Sequence, residues 1–318
     1  MPASFIDRSG VSARVRHEAI ESSATPGDLL DALAGEHLPA LLDSSAADPR
    51  YGRYSVVACR PAEVVSLVDG RLIDRAGRTL PGATVLEALR AVLARVRTPA
   101  EPDAAYGPGW IGYIGYEFGR CLERLPARAV RDTALPDLHL GFYDAVAVHD
   151  AIARSWRIAW LDFGRDGPDT GAHDVLREML CGAGGGVSPP AAPAGAAPAD
   201  YESNFTPEDY RRAVARCIDY IAAGDIFQVN LSQRLTVPDA PAPVAVYRAL
   251  RRRNPAWYSA MLLLGESAIL SSSPELFLRV RGKNVLTRPI KGTRPRTGDA
   301  RADAAAAAAL VGSPKDNA

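Results

Sequence analysis

The sequence lacks the patterns that define disulfide-rich and zinc-binding proteins. Its 318 residues contain four cysteines, Cys59, Cys121, Cys181 and Cys217, and no two of them have the short spacing of a metal-binding pair. The histidines are equally scattered, at positions 17, 37, 139, 149 and 173. We therefore expect reduced thiols and structural or surface histidines, with no metal site built from either.

The chain also has no excess of charge, no long apolar run and no apolar leader. Lys plus Arg and Asp plus Glu both number 37, without a basic block, which disfavours nucleic acid and anionic membranes as partners. No segment approaches the roughly 18 apolar residues of a membrane span, and residues 1–10 carry charge where a signal peptide would be apolar. These absences favour a cytoplasmic protein that acts on a small molecule.

What is present is the composition of a globular protein with one large or two medium domains, since 47% of residues are hydrophobic and 23% charged. Short apolar or alternating runs in the first 180 residues predict an antiparallel sheet. The runs span residues 54–58, 64–68, 145–148 and 156–161. Apolar residues at helical spacing predict a helix over 85–96.

A stretch rich in Gly, Pro and Ala divides the chain, because such a composition neither sustains a helix nor buries a core. The predicted organisation is an N-terminal region, a linker and a second region, over residues 1–180, 181–204 and 205–318. After the linker, Thr206 as N-cap, Pro207 and a terminating Gly224 predict a helix. Alternation over residues 227–235 predicts a strand whose polar face is either solvent-exposed or lines a site.

Two apolar runs near the end predict a hairpin, residues 276–281 and 285–290 around Gly282-Lys283-Asn284. If the pairing is symmetric about Lys283, Glu275 and Lys291 face each other at its open end, with Cβ atoms about 5 Å apart. A carboxylate opposite a lysine is either a cross-strand ion pair or a pair of catalytic groups. A slip of one residue would place the two side chains on opposite faces.

The residues around Lys291 favour the catalytic alternative. Pro289 ends the ladder because it has no N–H, Gly292 allows a ligand close to the backbone, and Thr293 offers a hydroxyl and an N–H to an anion. Arginines add positive potential on both sides, at positions 288, 294 and 296. The segment therefore suits a carboxylate-rich substrate, and Lys291 could act as a nucleophile once it loses its proton.

At this point the sequence resembles a known family, the chorismate-utilising enzymes. The resemblance rests on SPELF (273–277), PIKGTRPR (289–296), GDIFQVNLSQR (224–234), GWIGYIGYEFGR (109–120), LLDS (41–44) and YGRYSVV (51–57). These segments follow the family's order over nearly the whole chain. The resemblance implies an α+β fold like that of anthranilate synthase component I, in layered α/β/β/α order with antiparallel sheets packed face to face, here incomplete at the C-terminus.

Lysine before the Gly-Thr pair, as at Lys291, resembles aminodeoxychorismate synthase component I, whereas anthranilate synthases usually carry alanine there. The resemblance implies that Lys291 attacks the chorismate ring covalently, that Glu275 moves the protons, and that Gly292 and Thr293 bind substrate. The product would be 4-amino-4-deoxychorismate, for p-aminobenzoate and folate synthesis. The alternatives are anthranilate synthase component I and a truncated, inactive chain that only binds a ligand.

The resemblance also implies partners that the chain does not itself supply. Ammonia would come from a glutamine amidotransferase subunit, since the sequence has no glutaminase motif. Mg²⁺ would be held by carboxylates beyond the chain end, with no metal ligand within this chain. The sequence stops at SPKDNA, where the family continues with a metal-ligand glutamate and roughly a hundred further residues, so we expect no turnover by this chain alone.

A second site is implied near the N-terminus, at the position where relatives bind tryptophan. The candidate lining residues are Leu42, Ser44, Tyr51, Arg53, Tyr54 and Tyr258. Trp257 stands where the family usually has proline, and so large a side chain could fill the pocket itself. The alternative is that these aromatic residues only pack a core.

Overall fold

The computed structural model describes residues 11–97, 106–126, 131–164, 167–168, 170–183 and 200–314. The helices in these ranges are α1 (Leu30–Ala34), α2 (Val85–Leu93), α3 (Ala172–Gly182), α4 (Pro207–Ala223), α5 (Pro243–Arg253) and α6 (Ala300–Val311), with a 3₁₀ helix at Tyr116–Cys121. The strands are β1 (Val11–Ser12), β2 (Arg14–Ile20), β3 (Ala40–Asp43), β4 (Tyr54–Ala58), β5 (Glu63–Val68), β6 (Arg71–Asp74), β7 (Val96–Arg97), β8 (Gly109–Ile114), β9 (Leu138–Tyr143), β10 (Ala145–Asp150), β11 (Ser155–Asp162), β12 (Glu202–Ser203), β13 (Leu235–Thr236), β14 (Tyr258–Leu264), β15 (Ser267–Ser273), β16 (Leu276–Arg281) and β17 (Asn284–Arg288).

The largest sheet has seven antiparallel strands in the order β15-β14-β3-β4-β10-β11-β2. Its interior strand β10 is buried along nearly its whole length, as expected of a strand covered on both faces. β14 pairs with β3, so a strand some 200 residues later in the sequence extends the sheet built by the N-terminal region. The four strand predictions in the first 180 residues are confirmed by β4, β5, β10 and β11.

A four-stranded antiparallel sheet, β6-β5-β9-β8, packs against the seven-stranded one. Tyr143 of β9 and Ile111 of β8 join Val146 and Leu262 of the larger sheet in one apolar cluster between the two sheets. The outer face of the smaller sheet is covered by α2, through Leu89 and other residues. The layered arrangement of face-to-face antiparallel sheets is therefore confirmed.

The outer face of the seven-stranded sheet is covered by α3, which buries Leu176 and Leu180. Trp160 of β11 contacts His173 of this helix with ring centroids 4.4 Å apart, and Ser22 Oγ donates to Leu180 O at 2.7 Å. These contacts complete the α/β/β/α order. Among the described residues, no helix is both long and apolar enough to cross a membrane.

The chain divides into two compact units, residues 1–187 with 250–318, and residues 188–249. This division differs from the predicted one, in which residues 205–318 formed a single region after a linker at 181–204. The physical reason is the β14–β3 pairing, which joins residues 258–264 to the N-terminal sheet. Within the predicted linker, residues 181–182 end α3 and residues 202–203 form β12, while residues 184–199 lie outside the described ranges.

The second unit contains one confirmed and one wrong prediction. α4 begins as expected, because Thr206 Oγ1 accepts the N–H of Asp209 at 3.1 Å, and it ends at Gly224 in the left-handed conformation. The strand predicted over 227–235 is wrong. Only Leu235–Thr236 pairs, with β12, and Phe227 is 93% exposed where the alternation predicted a core position.

Candidate functional site

A cavity of about 450 Å³ lies at the carboxyl end of β3, in the unit that contains both large sheets. Its volume is in the range of small-molecule pockets. Seventeen residues line it: Leu42, Asp43, Ser44, Pro49, Arg50, Tyr51, Arg53, Tyr54, Val56, Tyr106, Trp257, Tyr258, Ser259, Ala260, Leu276, Arg279 and Arg281. All six residues of the candidate tryptophan pocket are among them. The structure therefore brings these six together, and the identity of the ligand stays a prediction.

The cavity wall is joined to the 256–258 segment by hydroxyl groups. The single proton of the Ser44 hydroxyl is shared between Tyr54 O at 2.7 Å and Trp257 O at 3.2 Å. Ser45 Oγ accepts the N–H of Ala256 at 2.9 Å. Because the bonds to Trp257 and Ala256 join the end of β3 to a segment some 210 residues later, the two serines help to fix the shape of the cavity.

A tight turn between β3 and β4 presents Tyr51 to the cavity. Asp48 Oδ1 accepts the N–H groups of Arg50 and Tyr51, at 2.7 and 2.9 Å, in an Asx-type turn. A Cβ at Gly52 would lie 2.4 Å from Ala46 O and 2.8 Å from Trp257 Cδ1, so no larger residue fits there without movement.

Trp257 forms a wall of the cavity and does not fill it. Its ring stacks on Tyr51, with centroids 4.7 Å apart and planes inclined by 27°. The cavity remains about 450 Å³ with this side chain in place. The expected obstruction by Trp257 is therefore absent, and the aromatic walls suit a flat, unsaturated ligand.

Two ion pairs hold charged groups at the cavity. Asp43, with a fully buried carboxylate, pairs with Arg251 and accepts a hydrogen bond from Ser55 Oγ at 3.0 Å. Arg53 pairs with Asp150 at 2.6 Å. The hydrogen bonds that Arg53 donates to Asp150 raise the pKa of Arg53 above its ordinary value. Burial alone would raise the pKa of Asp150, but hydrogen bonds from Arg53 and the backbone outweigh burial and lower it.

Strand β16 of the hairpin reaches the same cavity. The cavity lining includes Leu276, Arg279 and Arg281 of this strand. The two arginines, together with Arg50, give the cavity several guanidinium groups. Such a set of cations beside aromatic walls suits a ligand that combines an unsaturated ring with a carboxylate.

The predicted register of the hairpin is wrong. Arg281 pairs with Asn284, so the turn has two residues, Gly282 and Lys283, and the pairing is not symmetric about Lys283. Gly282 adopts a φ of +56°, which a two-residue hairpin turn requires. The register also shifts between Leu276 and Arg279, where β16 has one residue more than its partner.

As a consequence, Glu275 and Lys291 are not directly opposite each other. The last ladder pair is Leu276 with Arg288, so Glu275 lies one residue before it and Lys291 three residues after it. Both side chains are exposed, so burial does not favour the neutral amine of Lys291. Thr293 is exposed and Gly292 half-buried. The assignment of catalytic roles to this segment stays a prediction.

Among the described residues, no group of three or more His, Cys, Asp or Glu side chains gathers to hold a metal ion. Cys59 is buried, and burial raises the pKa of its thiol to about 12, so it is a poor metal ligand and a poor nucleophile. Arg279 and Arg281 of the cavity were not among the residues predicted from the sequence. Their positions alternate along β16, which is the signal that could have indicated a shared face.

The comparisons with known proteins agree on one family. The family described as chorismate binding enzyme matches residues 41–318. Anthranilate synthase component 1 of Thermus thermophilus is 38% identical over 271 residues, which cover 84% of this chain and 57% of the relative. Aminodeoxychorismate synthase component 1 of Escherichia coli is 31% identical over 298 residues, which cover 89% of this chain and 61% of the relative.

Among solved structures, anthranilate synthase component I from Streptococcus pneumoniae superposes with a TM-score of 0.67 at 24% identity. The match covers 85% of this chain and 59% of that one, and it supports the fold alone. The chain thus spans about 60% of the length of the proteins it matches.

Proposed function

The chain belongs to the family of chorismate-binding enzymes, and from that premise we propose that it acts on chorismate as component I of an aminodeoxychorismate synthase. The observation that carries the proposal is Lys291 in the segment PIKGT, where the alternative synthase usually has alanine. The exposure of Lys291 supports it, because a substrate can reach the amine. The relatives include aminodeoxychorismate synthases of Escherichia coli and Klebsiella aerogenes.

In the proposed reaction the neutral amine of Lys291 attacks carbon 2 of the chorismate ring, and the 4-hydroxyl leaves with a proton from Glu275. Ammonia then adds at carbon 4 and expels the lysine. Splitting the substitution into two steps avoids one difficult displacement. Arg288, Arg294 and Arg296 supply positive potential near the dianionic substrate.

We further propose that ammonia comes from a separate glutamine amidotransferase, as the description of the relatives as component 1 of a synthase suggests. Magnesium, which the family resemblance implies, stays a prediction. The described residues gather no carboxylate set for it, so no step in the proposal is assigned to a metal.

Anthranilate synthase component I is the second candidate, favoured by the Thermus thermophilus relative. The two proposals differ in the product, since one yields 4-amino-4-deoxychorismate and the other anthranilate. Product analysis by liquid chromatography distinguishes them directly.

A third proposal concerns the cavity, which we propose binds tryptophan. Its aromatic walls, about 450 Å³ of space and neighbouring arginines support an aromatic ligand that carries a carboxylate. Titration with tryptophan, followed by calorimetry, tests this proposal, and a Ser44→Trp variant that fills the cavity should abolish the heat of binding. The same binding result is expected if the chain binds tryptophan but does not turn over chorismate.

The experiment for the main proposal is Lys291→Ala, assayed with chorismate, ammonia and Mg²⁺ in this chain and in a version extended by the C-terminal part of the Escherichia coli relative. We expect turnover by the extended version, and a loss of at least ~10²-fold in that version when Lys291 is replaced. Lys291→Arg should not rescue the rate, because a guanidinium stays protonated at neutral pH.

The matched control is Lys283→Ala, which removes the other lysine of the same hairpin, at its turn. This variant should keep the rate of the unmodified enzyme. Full activity of Lys291→Ala would refute the covalent role, and anthranilate as the product would favour the second candidate instead.

A further inference from the structure

Arg288 joins the hairpin to the wall of the cavity. Its guanidinium carbon lies 4.8 Å from the centroid of the Tyr51 ring, within the range of a cation–π contact. Its Nη1 donates to Arg50 O at 3.0 Å and reaches Tyr258 Oη at 3.5 Å. Arg288 is also the last residue of β17, so these contacts lie at the point where the ladder ends.

The surface that receives Arg288 is well supported. Tyr51 is stacked on Trp257 and its N–H is bound by Asp48, so its ring has little freedom to move with the hairpin. Arg50, Tyr51 and Tyr258 all line the cavity. An arginine of the hairpin therefore docks on a part of the molecule whose shape is set by the β3–β4 turn.

The segment that follows Arg288 has little support of its own. Residues 289–298 form neither helix nor strand, and most of their side chains are exposed. Pro289 restricts the backbone immediately after Arg288, and Lys291 lies only three residues beyond the anchor. The position of the lysine is thus set largely by where Arg288 is held.

We propose that Arg288 is a positioning residue, which by docking on Tyr51 and Arg50 fixes the segment that carries Lys291. The proposal rests on the proposed function for the catalytic meaning of Lys291, but the docking itself can be measured without turnover. It also connects the cavity wall to the reactive segment, since displacing Tyr51 would release Arg288.

The composition of the chain provides a selective probe. The sequence contains three lysines, at positions 283, 291 and 315. An endoprotease specific for lysine therefore reports on the hairpin turn and on the reactive segment separately, and mass spectrometry identifies each cut. Cleavage that requires local opening follows the population of the open form when reclosing is fast.

The quantity to measure is the rate of cleavage after Lys291 divided by the rate after Lys283, normalised to the same ratio in the urea-unfolded chain. Arg288→Gln and Tyr51→Leu should each raise it about three- to tenfold, the effect expected from losing one cation–π contact with or without a hydrogen bond. The double variant should show no larger ratio than Arg288→Gln alone, because both changes break the same contact.

Conservative and matched variants separate positioning from general loosening. Tyr51→Phe keeps the ring face and should keep the unmodified ratio. Arg279→Gln removes an arginine of the same hairpin that lines the same cavity, but leaves Arg288 on Tyr51, and should also keep it. Unfolding of the whole hairpin would speed both cuts together and leave the ratio unchanged.

An unchanged ratio in Arg288→Gln or in Tyr51→Leu would overturn the proposal, as would a ratio in Tyr51→Phe as high as in Tyr51→Leu. Neither result bears on whether Lys291 is the nucleophile. Conversely, an active Lys291→Ala enzyme would refute the proposed function. It would not change the cleavage ratios, so the conclusion about the docking of Arg288 would still stand.

Discussion

Helices α2 and α4 begin with the same kind of N-cap but differ in how many of their residues are buried. In each, a threonine caps the first turn, since Thr84 accepts the N–H of Glu87 and Thr206 accepts that of Asp209. α2 buries Ala88, Leu89 and Val92. α4, all of whose residues the structure describes, buries none. The same local signals therefore produce a helix that covers a core and one that does not.

The contrast extends to the strands. The seven-stranded sheet contains fully buried residues such as Leu41, Val57 and Ile158, whereas Phe277, Val280 and Val285 of the hairpin are more than 60% exposed. The proposed chemistry lies at the open end of the exposed hairpin, and the cavity lies at the carboxyl end of β3 in the buried sheet. We therefore expect changes in the sheet to alter stability and changes in the hairpin to alter activity.

The largest expected effect on stability comes from the same substitution placed in each region. Ile158→Ala removes a side chain that is 0% exposed and should cost about 2–5 kcal/mol. Ile218→Ala in α4 removes one that is 59% exposed and should change stability by less than about 0.5 kcal/mol. Denaturant unfolding followed by tryptophan fluorescence and by circular dichroism measures both. Equal losses would show that α4 is supported as well as the sheet.

The fluorescence signal is specific to one unit. All four tryptophans, at positions 110, 156, 160 and 257, lie outside residues 188–249. Circular dichroism in addition detects the 17-residue α4. Disagreement between the two probes is therefore itself informative, because it would show that the two units unfold separately.

Even within the exposed unit, elements differ in how far sequence alone could predict them. Thr206, Pro207 and Gly224 predicted α4 correctly because caps act within one turn and need no partner. The strand predicted over residues 227–235 failed because alternation describes only a preference for one face, which a loop can also show. Whether that face is buried depends on the rest of the fold.

In the hairpin and the cavity, too, sequence alone could not predict which single residues contact each other. The sequence indicated a hairpin, but its register depends on the two-residue turn and on the bulge between Leu276 and Arg279, and the bulge has no clear sequence signal. The six residues that the resemblance grouped as a pocket do line one cavity, and its ligand stays a prediction. The docking of Arg288 on Tyr51 could not be predicted, because it joins residues 237 positions apart through the β14–β3 pairing and the turn.

A smaller effect is expected from the caps. Thr84→Ala should cost about 1 kcal/mol in global stability, because α2 packs on the four-stranded sheet. Thr206→Ala removes an equivalent bond, but it should lower only the helix signal and leave the fluorescence midpoint unchanged. Thr84→Ser and Thr206→Ser, which keep the accepting hydroxyl, are the matched controls. A fluorescence shift in Thr206→Ala would mean that α4 contributes to the stability of the tryptophan-containing unit.

The smallest effect at neutral pH concerns His149, in the centre of the buried sheet. Burial lowers the pKa of this imidazole, and Arg251 acts in the same direction, while Asp150 and Asp43 oppose it. Burial also lowers the pKa of His139, whose Nδ1 lies 3.0 Å from Ser66 Oγ. Because the unfolded chain, with a histidine pKa of about 6.5, binds these protons more readily than the folded chain, stability is retained above that value and lost as the pH falls below it.

His149→Phe should therefore flatten the decline of stability as the pH falls below about 6.5, and combining it with His139→Phe should flatten it further. Unfolding in denaturant, followed by fluorescence at several pH values, measures the slope. The phenyl ring can keep the contact of His149 with Trp156, whose ring centroid is 4.7 Å away, so packing changes little while the titration is removed. An unchanged slope in both variants would show that neither His149 nor His139 accounts for the loss of stability at low pH.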